Sequence, residues 1–147
     1  MSWIKTINFE ESSGTLRKTY LRVRGPGGQI DNILKVHSLR PHTLVGHMQL
    51  YKNVLHHTSN ELPKWYLETI GVYVSLLNKC DYCVQHHSVG LGKLIGQEKS
   101  NTILDALRKS DVSQHFEPKY QYGLKYSEEL TLRPTEVSKS MINEFRT

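Results

Sequence analysis

The sequence predicts an all-α protein, on three observations. Apolar residues recur at spacings of three and four, segment ends carry helix start and stop residues, and no alternating apolar–polar run reaches a useful strand length. Residues 1–14 are polar, with Ser12, Ser13 and Gly14 as punctuation, and read as a lead-in to one helical domain over 15–147. The first helix runs from about Thr15 to just before Gly25, because Gly25-Pro26-Gly27-Gly28 can only turn. A short helix covers Asn32 to His37, and Pro41 suits the first position of the next one. Along that helix Leu44, Met48, Tyr51 and Leu55 mark a single buried face.

After the break at Thr58-Ser59-Asn60, a helix is predicted from about Glu61 to Leu77, capped by Ser59 or Asn60 and with Pro63 in its first turn. It is apolar over most of its surface, from Leu62 and Trp65 to Leu76 and Leu77, which marks a central element. Its exceptions, Glu68, Gly71, Ser75 and Asn78, lie three or four apart and form a narrow strip of small or polar groups. Asn78 is the expected cap of the following helix, roughly Cys80 to Leu94, where Gly90 and Gly92 weaken the last turn and Gly96 stops it. Further helices cover Asn101 to Lys109, Glu117 to Leu130 and, after Pro134, Glu136 to Phe145.

The 147 residues favour one domain able to bury its own core. Hydrophobic residues make up 37% and charged residues 22%, which suits a globular chain rather than a disordered one. No apolar run approaches the roughly 18 residues of a membrane span, so no membrane partner is expected. Met1-Ser2-Trp3-Ile4-Lys5 lacks the pattern of a signal peptide, and a cytoplasmic location follows by default. The net charge is +5, densest at Arg17, Lys18, Arg22 and Arg24. Without a recognisable nucleic-acid motif this stretch reads as a solvated helix face, and no nucleic-acid partner is expected.

The only two cysteines, Cys80 and Cys83, stand three positions apart. In a reducing compartment such a pair is more often catalytic or metal-binding than a structural staple. A bridge between them closes a loop too short to stabilise the fold much. On a helix, Cys80, Cys83 and His87 fall on one face. A thiol at a helix start loses its proton below the free value of about 8.5, and the thiolate is the nucleophile. His87, one turn beyond Cys83, is placed to take that proton. Glu68 lies twelve residues before Cys80, and a short turn at Asn78-Lys79 would fold its carboxylate back towards the sulfurs, where it can hold His87 in one tautomer.

The pattern of Glu68, eleven residues, Cys80-x-x-Cys83, three residues and His87 resembles the active-site signature of the AhpD alkylhydroperoxidases, within the carboxymuconolactone decarboxylase superfamily. The run Asn78-Lys79-Cys80-Asp81-Tyr82-Cys83-Val84-Gln85-His86-His87 is similar to its peroxidase-related branch, as are the Asn32 region, Leu39-Arg40-Pro41 and Leu130-Thr131-Leu132-Arg133-Pro134. The resemblance implies an AhpD-like helical bundle with the C-x-x-C at the start of a helix, assembled as a trimer or hexamer. It implies that Cys83 attacks a hydroperoxide, Cys80 resolves it, His87 deprotonates Cys83 and Glu68 assists by relay. The implied reductant is a dithiol or a lipoyl-bearing protein, with no cofactor and no metal. Tyr82 stands where many such enzymes carry a histidine, and the chain is expected to lack a helix that relatives carry after the point matching Phe145.

Tyr82, His86 and Ser75 are further candidates for lining the site. The competing reading is a non-enzymatic zinc-binding or assembly module using Cys80, Cys83, His86 and His87, although ligand pairs usually come from separate elements. A cofactor-free decarboxylase is a weaker rival within the same superfamily, whose decarboxylases generally lack the cysteine pair. His56 and His57 are expected at the surface near a helix end, and His42 and His47, five apart, are poorly spaced for a shared metal.

Overall fold

The computed structural model describes residues 2–144, among which every regular element is helical. Met1 and Phe145, the expected end of the last helix, lie outside the described residues. The chain divides into two compact units, 1–59 and 60–147.

The first unit holds α1 (Gly14–Val23), α2 (Asn32–Lys35) and α3 (Pro41–Tyr51). Its core is Leu16, Tyr20, Ile30, Leu34 and Leu44. Pro41 opens α3, where its missing N–H costs nothing. Leu44 is fully buried, and Met48, Tyr51 and Leu55 are half-buried on the expected face. The α-helix gives way at Lys52 to one π-helical turn, Lys52–His56, which periodicity alone did not indicate. The polar lead-in is tied down: the Ile7 amide donates to Ser38 Oγ at 2.9 Å, and the Tyr20 hydroxyl donates to the Ile7 carbonyl at 2.8 Å. The Arg17 guanidinium lies 3.7 Å above the Phe9 ring, so part of the basic stretch packs rather than facing water.

The second unit holds α4 (Lys64–Leu77), α5 (Asp81–Ile95), α6 (Gln97–Arg108), α7 (Pro118–Leu132) and the short α8 (Lys139–Glu144), with a 3₁₀ turn at Pro134–Glu136. As its apolar surface requires, α4 is central and packs on α5, α6 and α7. Tyr66, Val72, Tyr73, Leu91, Ile103, Leu107, Phe116 and Leu124 form the core. The two buried tyrosines satisfy their hydroxyls across to α7, Tyr66 on the Tyr120 carbonyl at 2.7 Å and Tyr73 on Glu128 Oε2 at 2.6 Å.

The caps differ from expectation in two places. Neither Ser59 nor Asn60 caps α4; Pro63 precedes the helix in an extended conformation, and its carbonyl accepts from Tyr66 N at 2.9 Å. Leu62, preceding a proline, is disfavoured in helical geometry, so the helix begins at Lys64 rather than Glu61. Asn78 ends α4 instead of opening α5; the residue capping α5 is Cys80. Gly90 and Gly92 do not shorten α5, which runs to Ile95 and stops at Gly96 as expected.

Candidate active site

The link from α4 to α5 determines where the first sulfur lies. Lys79 N donates to Leu76 O and Cys80 N to Ser75 O, each at 3.0 Å, and Lys79 adopts the left-handed conformation at φ 55°. This is a Schellman ending, with lysine in the place glycine usually takes. It reverses the chain in two residues and hands Cys80 directly to α5 as its N-cap, where the Cys80 carbonyl accepts from Val84 N at 2.9 Å. Cys80 therefore sits just outside the helix, and Cys83 is its third residue. The two are joined by a disulfide with Cα atoms 5.3 Å apart, and both residues are half-buried. The sulfurs stand at the end where free amides and the dipole of α5 favour negative charge.

Glu68 and His87 meet across the α4–α5 interface. His87 Nδ1 lies 2.8 Å from Glu68 Oε2, with side chains 20% and 12% exposed, so the pair is largely withdrawn from water but still reachable. A carboxylate accepts hydrogen bonds, so the contact suits an imidazole with its N–H at Nδ1, the tautomer whose lone pair is at Nε2. Cys83 and His87, four apart, share one face of α5.

Two glycines frame this pair. A Cβ at Gly71 would lie 2.6 Å from His87 Nδ1 and 2.8 Å from its Cγ, so the imidazole rests against the backbone of α4. A Cβ at Gly90 would lie 2.9 Å from Glu68 Cδ and 3.0 Å from Oε2, so the carboxyl rests against the backbone of α5. Sequence reasoning placed Gly71 only in a strip of small residues and took Gly90 only as a weakness of the helix. The paired spacing Glu68-x-x-Gly71 and His87-x-x-Gly90 was the available signal.

The remaining candidates separate. Ser75 is buried and donates its hydroxyl to the Gly71 carbonyl at 2.6 Å, holding the helix behind the site rather than offering a free group. Tyr82 and His86 are exposed along α5, with ring centroids 6.2 Å apart, and His86 meets His87 edge-on at 5.9 Å. His56 and His57 are exposed, as expected. His47 pairs with His37, at 5.1 Å between ring centroids; burial, then the nearby His47, lowers the pKa of His37 below its usual value. Among the described residues no group of three or more His, Cys, Asp or Glu is arranged to hold a metal ion. Two clefts of the second unit, of about 370 and 330 Å³, open elsewhere, the larger around Tyr73, Lys125 and Glu128 and the smaller around Lys99 and His115.

A C-x-x-C disulfide at the head of α5 and a Glu–His pair shared between α4 and α5 are set in an all-helical frame that has the AhpD-like fold. Two solved structures carry it. One, described as an alkylhydroperoxidase AhpD core, an uncharacterized peroxidase-related protein from Ralstonia eutropha JMP134, matches 97% of this chain and 73% of its own at a TM-score of 0.77 and 20% identity. The other, an uncharacterized peroxidase-related protein from Silicibacter sp. TM1040, matches 88% of this chain and 66% of its own at a TM-score of 0.73 and 21% identity. The chain thus spans 73% and 66% of the length of these two neighbours. No family model matches it, and no curated protein sequence does. None of the described helices is long and apolar enough to cross a membrane.

Proposed function

We propose that this chain is a thiol-dependent peroxidase, reducing hydroperoxides through the Cys80–Cys83 pair and exchanging the resulting disulfide with a dithiol. The observation that carries the reading is the 2.8 Å Glu68–His87 contact, made by a residue one helical turn past Cys83 on α5, together with cysteines close enough to bridge. The peroxidase-related description of the two structural neighbours agrees with it.

In the reduced enzyme Glu68 accepts from His87 Nδ1–H, leaving Nε2 as the base that takes the Cys83 proton. The Cys83 thiolate attacks the terminal oxygen of the hydroperoxide. The O–O bond breaks, Cys83 becomes a sulfenic acid, and the departing alkoxide takes the proton from His87 as an alcohol. Cys80 then attacks the Cys83 sulfur, the disulfide forms and water leaves. A dithiol such as a lipoyl group supplies two electrons and two protons to restore both thiols. The active form in this reading is a homo-oligomer, a trimer or a hexamer.

Cys83→Ser tests the chemistry. Peroxide consumption coupled to a dithiol is expected to fall to background. In the wild-type protein, intact mass after stoichiometric peroxide is expected to drop by two hydrogens, and neither single cysteine variant undergoes that loss. Wild-type turnover in Cys83→Ser rules the mechanism out. A tightly held zinc with no titratable thiols favours a metal-binding module instead.

A further inference from the structure

We infer that Gly71 and Gly90 are positioning residues, reciprocal seats that hold the Glu68–His87 pair in register. The inference rests on the proposed reading of that pair as the proton handler of the cysteines. The arrangement is symmetric in sequence and in space. Each helix contributes one functional side chain and, three residues later, one glycine: Glu68 and Gly71 on α4, His87 and Gly90 on α5. The side chain from one helix lies on the glycine of the other, with hypothetical Cβ contacts of 2.6 to 2.8 Å at Gly71 and 2.9 to 3.1 Å at Gly90. Real Cβ atoms essentially never approach other atoms below 3.0 Å.

What must yield to a methyl group is specific. At Gly90 the three nearest atoms are all in the Glu68 carboxyl, and at Gly71 all are in the His87 ring. Neither site brings a backbone atom or a core side chain among the nearest neighbours. What must move first is thus a member of the pair: at Gly90 the far end of the Glu68 side chain, which can turn away, and at Gly71 the whole His87 ring down to its Cγ, which must swing out on its Cα–Cβ bond. A carboxyl moved off Gly90 no longer takes the proton of His87 Nδ1, and a ring moved off Gly71 loses the same bond from the other side. Alanine is also the better helix former, so the substitution does not penalise either helix as a helix. Two mid-helix glycines at an interface, each beneath the other helix's functional group, are thus explained by the space that pair needs.

The test uses the full chain with Gly71→Ala, Gly90→Ala and, as a control, Gly46→Ala, whose Cβ meets nothing within 4 Å. The readouts are thermal melting, the ¹⁵N chemical shifts of the His87 ring, which report the nitrogen carrying the proton, and peroxide turnover. Gly71→Ala and Gly90→Ala are expected to melt cooperatively like the wild type, to change the His87 ring from a fixed Nδ1–H form to a mixture of tautomers, and to lose at least tenfold in turnover. Gly46→Ala is expected to leave the His87 ring spectrum as it was. A wild-type His87 spectrum in both site variants overturns the inference, whether or not the protein reduces peroxide. An altered spectrum in both, with no peroxide turnover in the wild type, supports the seats and refutes the proposed function.

Discussion

At the scale of single residues, the site depends on which nitrogen of His87 is left free. With Nδ1 facing Glu68 at 2.8 Å, the proposed chemistry needs the lone pair at Nε2, to accept the proton of Cys83. Removing the carboxylate leaves the imidazole free to turn and to exchange tautomers. In the proposed chemistry Glu68→Ala therefore lowers kcat/KM for hydroperoxide by about 10²-fold, the low end of what a positioned acid–base group contributes. Strong oxidant should still close the Cys80–Cys83 bridge, since neither sulfur depends on Glu68 for its place. Steady-state peroxide kinetics beside intact mass check both halves. Spacing alone made Glu68 and His87 candidates, and the resemblance of the Glu68, Cys80-x-x-Cys83, His87 pattern to the AhpD signature singled them out. The glycines beneath them were not legible, because a glycine shows no side chain whose pattern can be read, and its reason lies on another helix.

At the scale of elements, the helix junctions decide where the site groups lie. Just past the caps of α4 and α6, Lys79 and Ser110 adopt the same left-handed geometry, at φ 55° and 57°, with the same pair of closing amide bonds. Holding a non-glycine residue there costs roughly 1–2 kcal/mol. Lys79→Gly is therefore expected to stabilise the protein by about 1 kcal/mol in urea unfolding without altering the site. Gly96 is the opposite case. It ends α5 and opens α6 at φ 90° and ψ 148°, a region essentially closed to other residues. Gly96→Ala should cost roughly 1–3 kcal/mol in the same measurement. Gly96 was readable as a stop because glycine at a helix end is a direct chemical signal. The Lys79 and Ser110 endings carried no such letter, and Asn78 was assigned to the wrong helix because one residue type serves at both kinds of end.

At the scale of the whole molecule, the second unit is organised around buried tyrosines. Burial, followed by the Glu128 hydrogen bond and charge, raises the pKa of Tyr73 well above its usual 10.0; burial, followed by Tyr120, raises that of Tyr66 similarly. The folded state thus keeps protons that the unfolded chain gives up above about pH 10, and where the unfolded state binds fewer protons, stability falls as pH rises. The melting temperature should be flat with respect to these two groups below pH 9 and decline steeply above pH 10. A Tyr73→Phe variant should be less stable at neutral pH, by about 1 kcal/mol for the lost hydrogen bond, and its melting temperature should decline less steeply. Thermal melts across an alkaline series check both. The all-α class, the central place of α4 and the candidate site residues follow from the sequence by itself, because helical periodicity and short-range spacing are local properties of the chain. Tertiary structure alone decided that Glu68 meets His87 at hydrogen-bond distance, that Gly71 and Gly90 make room for them, that Ser75 is spent on the Gly71 carbonyl and that Tyr73 binds Glu128. Each of these contacts joins or crowds atoms whose approach depends on the turn of the chain between elements and on the packing of one helix against another, and neither is encoded in any single window of residues.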